Sequence, residues 1–137
     1  MIFLEVHVKL NSMTGNKKIN IRFIDGGEQR YPTCGDYWET EDSYEFRITK
    51  QISDDRSILI LLHEMIEYFL CTKRGISESD ITKFDLDWEN GPKLEEEPGN
   101  SPLAPYYNEH RFSENIERQV ALAADIDWFD YENNLVI

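Results

Sequence analysis

The chain has 137 residues, about the length of one domain, and 40% of them are hydrophobic, enough to bury a single core without disulfide bonds. Its 27 acidic residues outnumber its 14 lysines and arginines, and the net charge of −13 disfavours nucleic-acid binding because it repels phosphate backbones. No run approaches the ~18 apolar residues of a membrane span. Polar residues Glu5, His7 and Lys9 interrupt the apolar N-terminus, where a secretory signal would be continuous. We therefore predict one cytoplasmic domain over residues 1–137.

Three segments in the first fifty residues alternate apolar and polar residues, the pattern of a half-buried β-strand. They are residues 2–10, KKINIRFI at 17–24 and SYEFRITK at 43–50. Turn-like sequences separate them. We predict a small antiparallel sheet of about three strands, with His7 as a surface residue on its outer face.

The pattern then changes to that of helices. Ser53 and Asp54 are N-cap candidates before a long apolar run, and Gly75 supplies a stop, which predicts a central helix. Ser77 can cap a shorter helix through ITKFDLDW. Residues 89–105 hold four of the five prolines and predict a loop that could act as a substrate flap, before a last helix from Pro105 to about Ala124. No internal repeat is recognisable. The predicted fold class is α+β, a sheet packed on the central and C-terminal helices.

The motif HEMIE in the central helix carries the first candidate functional residues. His63 and Glu67 are four positions apart, so both side chains can reach one ion from the same face of the helix, while Glu64 is displaced around it. Zinc peptidases use this geometry in H-E-x-x-H, here with a glutamate in place of the second histidine. The alternative is that this face is the solvated side of an amphipathic helix.

A metal ion needs a third protein ligand, and His110 is the better candidate of the two remaining histidines. On the last helix His110 and Glu114 repeat the spacing of His63 and Glu67. We predict a site for Zn²⁺ or another divalent cation between the helices, with ligands His63, Glu67 and His110, and Glu114 in reserve. The glutamates of this helix, Glu114 and Glu117, equally suit salt bridges to Arg111 and Arg118.

Other chemistries fit less well. Cys34 and Cys71 have no metal-site spacing and are predicted to be free thiols. Cys71 could be a nucleophile, but a packed helix thiol is the favoured interpretation. Asp85 and Asp87 in FDLDWE could bind a divalent ion or support the site, against the alternative of a charged turn.

The segment from Leu59 to Glu132 resembles a set of small uncharacterised bacterial and phage-encoded proteins. The shared features are H-E-x-x-E on a helix, a Cys and Gly-Ile after it, A-P-Y-x-x-E-H, a Glu-Arg pair in the next helix and a D-W near the end. The order of strands followed by a metal-bearing helix also resembles minimal zincin metallopeptidases, although the second histidine of their helix motif is absent.

Two functions follow as expectations. The favoured one is a zincin-like metal-dependent hydrolase, with peptides as one candidate substrate, in which Glu64 is the general base for a metal-bound water. The alternative is a non-enzymatic acidic interaction protein of a phage or prophage, a nucleic-acid mimic or a binder of a host protein. The sequence predicts neither the substrate nor the oligomeric state.

Overall fold

The structure is a computed structural model that describes the backbone of residues 4–8 and all of residues 17–137. Its sheet contains strands β1 (Leu4–Val8), β2 (Lys17–Ile24), β3 (Gly35–Glu39) and β4 (Ser43–Thr49), in the order β1-β2-β4-β3. The side chain of His7, predicted to face solvent, lies outside the described residues.

The sheet is mixed, which corrects the prediction of an antiparallel one. β1 pairs with β2 and β3 with β4 in antiparallel fashion, but β2 and β4 are parallel. The parallel pair arises because the chain crosses from β2 to the far edge, forms β3 there and returns as β4 between β3 and β2. β3 is absent from the sequence prediction because its first three residues are all buried, so it has no apolar–polar alternation.

Four α-helices follow the sheet and confirm the α+β class. They are α1 (Asp54–Lys73), α2 (Glu78–Glu89), α3 (Tyr107–Ala123) and α4 (Trp128–Asn133). Between α2 and α3 lies the predicted loop, whose one regular element is a 3₁₀ turn at Pro98–Asn100. None of the described helices is long and apolar enough to span a membrane.

The central helix α1 packs against both the sheet and α3. On the sheet side Tyr37 and Phe46 belong to one apolar cluster, which Tyr68 of α1 covers. On the other side Leu59 and Ile60 pack with Ala121 of α3. Burial on two sides explains why α1 is apolar over most of its circumference. Two of its polar side chains, His63 and Glu67, are buried on these packed faces, whereas the polar residues at its two ends, such as Asp54 and Lys73, are exposed.

The helices form two pairs that repeat one local structure fifty positions apart. We call α1 with α2 the first helix pair and α3 with α4 the second. In each, the turn between the helices contains one residue with positive φ, Gly75 at 70° and Asp125 at 57°. In each, an N-cap side chain accepts a hydrogen bond from the backbone N–H three residues later, Ser77 in the first pair and Asp127 in the second.

This correspondence is an internal repeat that sequence inspection did not recognise. HEMIE at 63–67 has SENIE at 113–117 as its counterpart. Glu64 therefore corresponds to Glu114, and Glu67 corresponds to Glu117. Few residues are identical between the pairs, so the repeat is clearer in the turns and caps than in the sequence.

Candidate metal centre

Three side chains from α1 and α3 converge in the interior. His63 is 7% exposed, and Glu67 and His110 are 5% exposed. Glu67 Oε2 lies 3.0 Å from His63 Nε2 and 3.0 Å from His110 Nδ1, and these two nitrogens are 3.2 Å apart. The three atoms form a nearly equilateral triangle. Among the described residues, these are the three whose ligand atoms could hold a metal ion together.

A second layer of carboxylates binds the far side of each imidazole. Glu117 Oε1 is 2.8 Å from His63 Nδ1, and Glu97 Oε1 is 2.9 Å from His110 Nε2. An ionised carboxylate can only accept, so these contacts place a proton on each far nitrogen. In a neutral imidazole the lone pair then lies on the nitrogen that faces Glu67. Metal-binding histidines are oriented and fixed in one tautomer by such carboxylates.

The glutamates are themselves held by tyrosines. The Tyr37 hydroxyl of β3 donates to Glu67 Oε1 at 3.0 Å, which leaves Oε2 for the two histidines. The Tyr131 hydroxyl of α4 donates to Glu117. Both tyrosines are buried. The sheet and the last helix thus fix the orientation of the carboxylates that meet between α1 and α3.

In the absence of an ion, protons hold this cluster together. Burial opposes charge on Glu67, but its hydrogen bonds with His110 and His63 outweigh burial and lower its pKa to about 2. Burial likewise opposes charge on His110, but Glu67 and Glu97 raise its pKa to about 10. Two nitrogens only 3.2 Å apart cannot both point a hydrogen at each other. Hydrogens on these two nitrogens would therefore both be directed at Glu67 Oε2, where a single cation could replace them.

The triangle has the size that a small divalent ion requires. Zinc binds nitrogen and oxygen ligands at ~2.0–2.2 Å, so the ligands of a tetrahedral site stand roughly 3.3 Å apart. The observed separations of 3.0–3.2 Å need an expansion of only a few tenths of an ångström. Two histidines and one glutamate form one of the ligand sets of catalytic zinc sites, which keep a fourth position open.

Glu64 lies beside this cluster on α1, next to Gly35 of β3. A Cβ atom at position 35 would come within 2.7 Å of the Glu64 carboxyl carbon, so the sheet approaches this side chain closely. Burial and the charge of Glu67 raise the pKa of Glu64 well above 4.5. No side chain in the described part of the chain hydrogen-bonds its carboxyl group, and it lines the two cavities that flank the cluster.

The loop before α3 packs against His110. A Cβ atom at Gly99 would lie 2.5 Å from the imidazole ring, so only glycine fits there without a shift of the ring or the loop. Gly99 follows Glu97 by two positions, and the 3₁₀ turn at Pro98–Asn100 brings both to the ring. The loop is therefore part of the site and supplies one of its carboxylates.

The predicted site residues divide into two groups. His63, Glu67 and His110 come together, with Glu64 adjacent. Glu114 is half-buried and outside the triangle, and Glu117 occupies the position beside His63 instead. Seven residues make nearly two full helical turns, so Glu117 lies under His110 more directly than Glu114 does. The seven-residue spacing of His110 and Glu117 was therefore the sequence feature that could have indicated Glu117 as a site residue.

Glu97 is a site residue that the sequence does not predict, since no periodicity places a residue in a proline-containing loop. The other candidate residues lie outside the triangle of ligand atoms. Asp85 is buried and accepts hydrogen bonds from two tyrosines, whereas Asp87 is exposed and pairs with Lys83. Cys71 is a buried free thiol, and burial raises its pKa to about 12.

Comparisons with known proteins leave the family open. No protein-family model matches the chain, no curated protein matches it significantly, and no solved structure matches its fold significantly. The resemblance to small phage-encoded proteins stays a prediction. Function is therefore inferred from the geometry of the site.

Proposed function

We propose that this protein is a zincin-like metal-dependent hydrolase with one divalent cation, Zn²⁺ in the first place, held by His63, Glu67 and His110 between α1 and α3. The observation that carries the proposal is the triangle of ligand atoms, 3.0–3.2 Å on each edge, with a carboxylate behind each imidazole. A solvated helix face would not bury these groups or bring them together from two helices.

The adjacent Glu64 supplies the remaining chemistry. A bound divalent cation lowers the pKa of its water ligand and polarises a substrate carbonyl. Glu64 would take one proton from that water, the resulting hydroxide would add to the carbonyl carbon, and Glu64 would return the proton to the leaving group. The raised pKa of Glu64 describes the metal-free site, and a nearby cation favours its ionised form.

Metal content is the first test. Purified protein, stripped with chelator and reloaded with zinc, should hold about one ion per chain by elemental analysis. Chelation should lower the melting temperature, because an ion that binds only the folded state stabilises it. A melting temperature that does not change on addition of zinc would contradict the proposal and favour the alternative function, a non-enzymatic acidic interaction protein.

Glu64→Gln separates hydrolysis from metal binding. This variant should keep the metal and the melting temperature of the parent while losing at least ~10²-fold in hydrolysis of a peptide library, the usual effect of a positioned general base. Glu114→Gln is the matched control, because Glu114 is the counterpart of Glu64 in the second helix pair and hydrogen-bonds neither histidine. Equal hydrolysis by both variants would remove Glu64 from the mechanism.

A further inference from the structure

One of the two cavities beside the candidate metal centre extends away from it to a buried carboxylate. This cavity has a volume of about 200 Å³ and reaches from Glu67 and His110 to Asp85 on α2. It is smaller than the ~300–1,000 Å³ of pockets that take drug-sized ligands, so its size suits one side chain of a longer substrate.

Asp85 differs from the other buried aspartate of this cavity in having no cation beside it. Asp36 binds the Arg30 guanidinium through two hydrogen bonds of 2.7 and 2.9 Å. Asp85 is 6% exposed and is held by the Tyr106 hydroxyl at 2.5 Å and the Tyr31 hydroxyl at 3.2 Å. Among the described residues no lysine or arginine pairs with it. Buried charges are normally paired, so Asp85 lacks a counter-charge that a ligand could supply.

The walls of the cavity also favour a cation. Its aromatic side chains are Tyr31, Tyr37, Trp88 and Tyr106, and aromatic faces attract ammonium and guanidinium groups. The wall already holds one ammonium at its rim. Lys93 Nζ lies 5.5 Å from the centre of the Trp88 ring and 2.6 Å from Glu89 Oε1. Among the described lining residues, Lys93 is the only lysine or arginine.

We propose that this cavity is a subsite for a lysine or arginine side chain of a peptide substrate, with Asp85 as its counter-charge. The proposal rests on the hydrolase function, because it places the basic residue beside the bond that the metal centre would cleave. It assigns specificity to α2 and the Tyr31 segment, which contribute nothing to the candidate metal ligands.

Binding of two neutral-backbone probes tests the subsite without hydrolysis. N-acetyl-lysine amide and N-acetyl-norleucine amide differ in the terminal ammonium, and both would be titrated into ¹⁵N-labelled protein, once with chelator and once with zinc. The lysine probe should bind at least ~10-fold more tightly, with chemical-shift changes centred on Asp85 and Trp88. Equal affinities, or shifts located elsewhere, would overturn the proposal.

Two variants assign the preference to Asp85. Asp85→Asn keeps the shape of the side chain and should reduce the ratio of the two affinities to about one. Asp87→Asn, on the exposed face of the same helix, should leave the ratio unchanged. A preference that survives Asp85→Asn would contradict the proposal, and if that variant does not fold, the two probes on the parent protein decide.

This outcome is distinguishable from failure of the hydrolase function. If the protein binds no metal but prefers the lysine probe, the cation subsite stands and the hydrolase function fails. A protein that binds zinc and hydrolyses peptides, with equal rates after lysine and norleucine, would retain the enzyme without this subsite.

Discussion

The first and second helix pairs have the same turns and caps, but they contribute differently to the site. Each buries a glutamate at the same position of its first helix, Glu67 in α1 and Glu117 in α3. One turn before Glu67 stands His63. One turn before Glu117 stands Ser113, whose hydroxyl donates to the backbone oxygen of Glu109 at 2.8 Å. The common structure of the two helix pairs thus buries both glutamates. Glu67 lies between the two histidines, whereas Glu117 contacts His63 alone.

The tyrosines that hold these glutamates show a second difference. Tyr131 belongs to α4, so the second helix pair supplies its own support for Glu117. The corresponding position of α2 is Ile81, and Glu67 instead receives the hydroxyl of Tyr37 from the sheet. Among the described residues, no side chain of α2 hydrogen-bonds Glu67, and Tyr37 of β3 orients its carboxylate instead. The orientation of Glu67 therefore depends on the sheet, whereas the orientation of Glu117 depends on a residue of its own helix pair.

Replacing the two glutamates should give unequal losses of metal. Glu67→Ala removes a proposed direct ligand, so the zinc content after dialysis should fall from about one ion per chain to near zero. Glu117→Ala removes the support of His63 and should weaken zinc affinity by about 10–100-fold while leaving some binding. Elemental analysis and competition with a zinc indicator measure both. Glu67→His should preserve binding, since it restores the H-E-x-x-H ligand pair, and equal affinities for the two alanine variants would contradict this division of roles.

The stability of the metal-free protein should depend on pH in a defined direction. The pKa of His110 rises from 6.5 to about 10 on folding, so its contribution is complete below pH 6.5 and lost as the pH rises through 10. The pKa of Glu67 falls from 4.5 to about 2, so its contribution is complete above pH 4.5 and lost as the pH falls through 2. Because both contributions are complete between pH 4.5 and 6.5, chelated protein should melt higher in this range than at pH 2 or pH 10.

Added zinc should change the alkaline side of that profile. The ion replaces the protons on the histidines, so the loaded protein should keep its melting temperature above pH 6.5, where chelated protein loses it. Thermal melts across pH, with and without zinc, measure the difference. His110→Gln, which cannot titrate, is the control and should reduce the alkaline slope of the chelated protein. Chelated protein that is more stable at pH 9 than at pH 6 would contradict the prediction.

Cys71 occupies the position that Ala121 has in the second helix pair, and both are buried. Cys71→Ala should therefore retain metal and hydrolysis and destabilise the protein by roughly 1 kcal/mol, mainly through lost packing. In a Cys34→Ala background, the Cys71 thiol should react slowly with thiol reagents in native protein and rapidly in denaturant, because burial raises its pKa to about 12. Loss of hydrolysis with the fold intact would make Cys71 the nucleophile instead.

The smallest expected effects compare the two turns. Gly75→Ala places a Cβ atom where φ is 70° and no neighbouring atom is within 4 Å, so the cost is backbone strain of about 1 kcal/mol. Asp125→Gly removes a side chain from the same conformation, φ 57°, and should stabilise the protein by roughly 0.5 kcal/mol. Urea unfolding of both variants measures the free energy of unfolding, which should fall for Gly75→Ala and rise for Asp125→Gly. A stabilising Gly75→Ala change would show that the two turns are not equivalent.

The sequence predicted most of the helical part of the fold. A long apolar run bounded by Ser53 and Gly75 indicated α1, and the i, i+4 spacing of His63 and Glu67 indicated that both could reach one point. Those signals are local, so one segment suffices to detect them. The position of β3 and the parallel pairing of β2 with β4 depend on where distant segments pack, which no local pattern records.

The site was harder to predict where its residues depend on tertiary structure. Glu114 repeats the spacing of Glu67 from a histidine, but the repeat of the helix pairs makes it the counterpart of Glu64. Glu117 could have been found from its seven-residue distance to His110. Glu97 could not, because its contact with His110 depends on the path of a loop whose course follows from Gly99 fitting against the ring.

The contact between Glu67 and His110 joins residues 43 positions apart, which has a consequence for synthesis of the chain. Until residue 110 has been synthesised, the nascent polypeptide contains His63 and Glu67 but neither His110 nor Glu117. The three side chains can therefore meet only after α3 has left the ribosome and docked on α1.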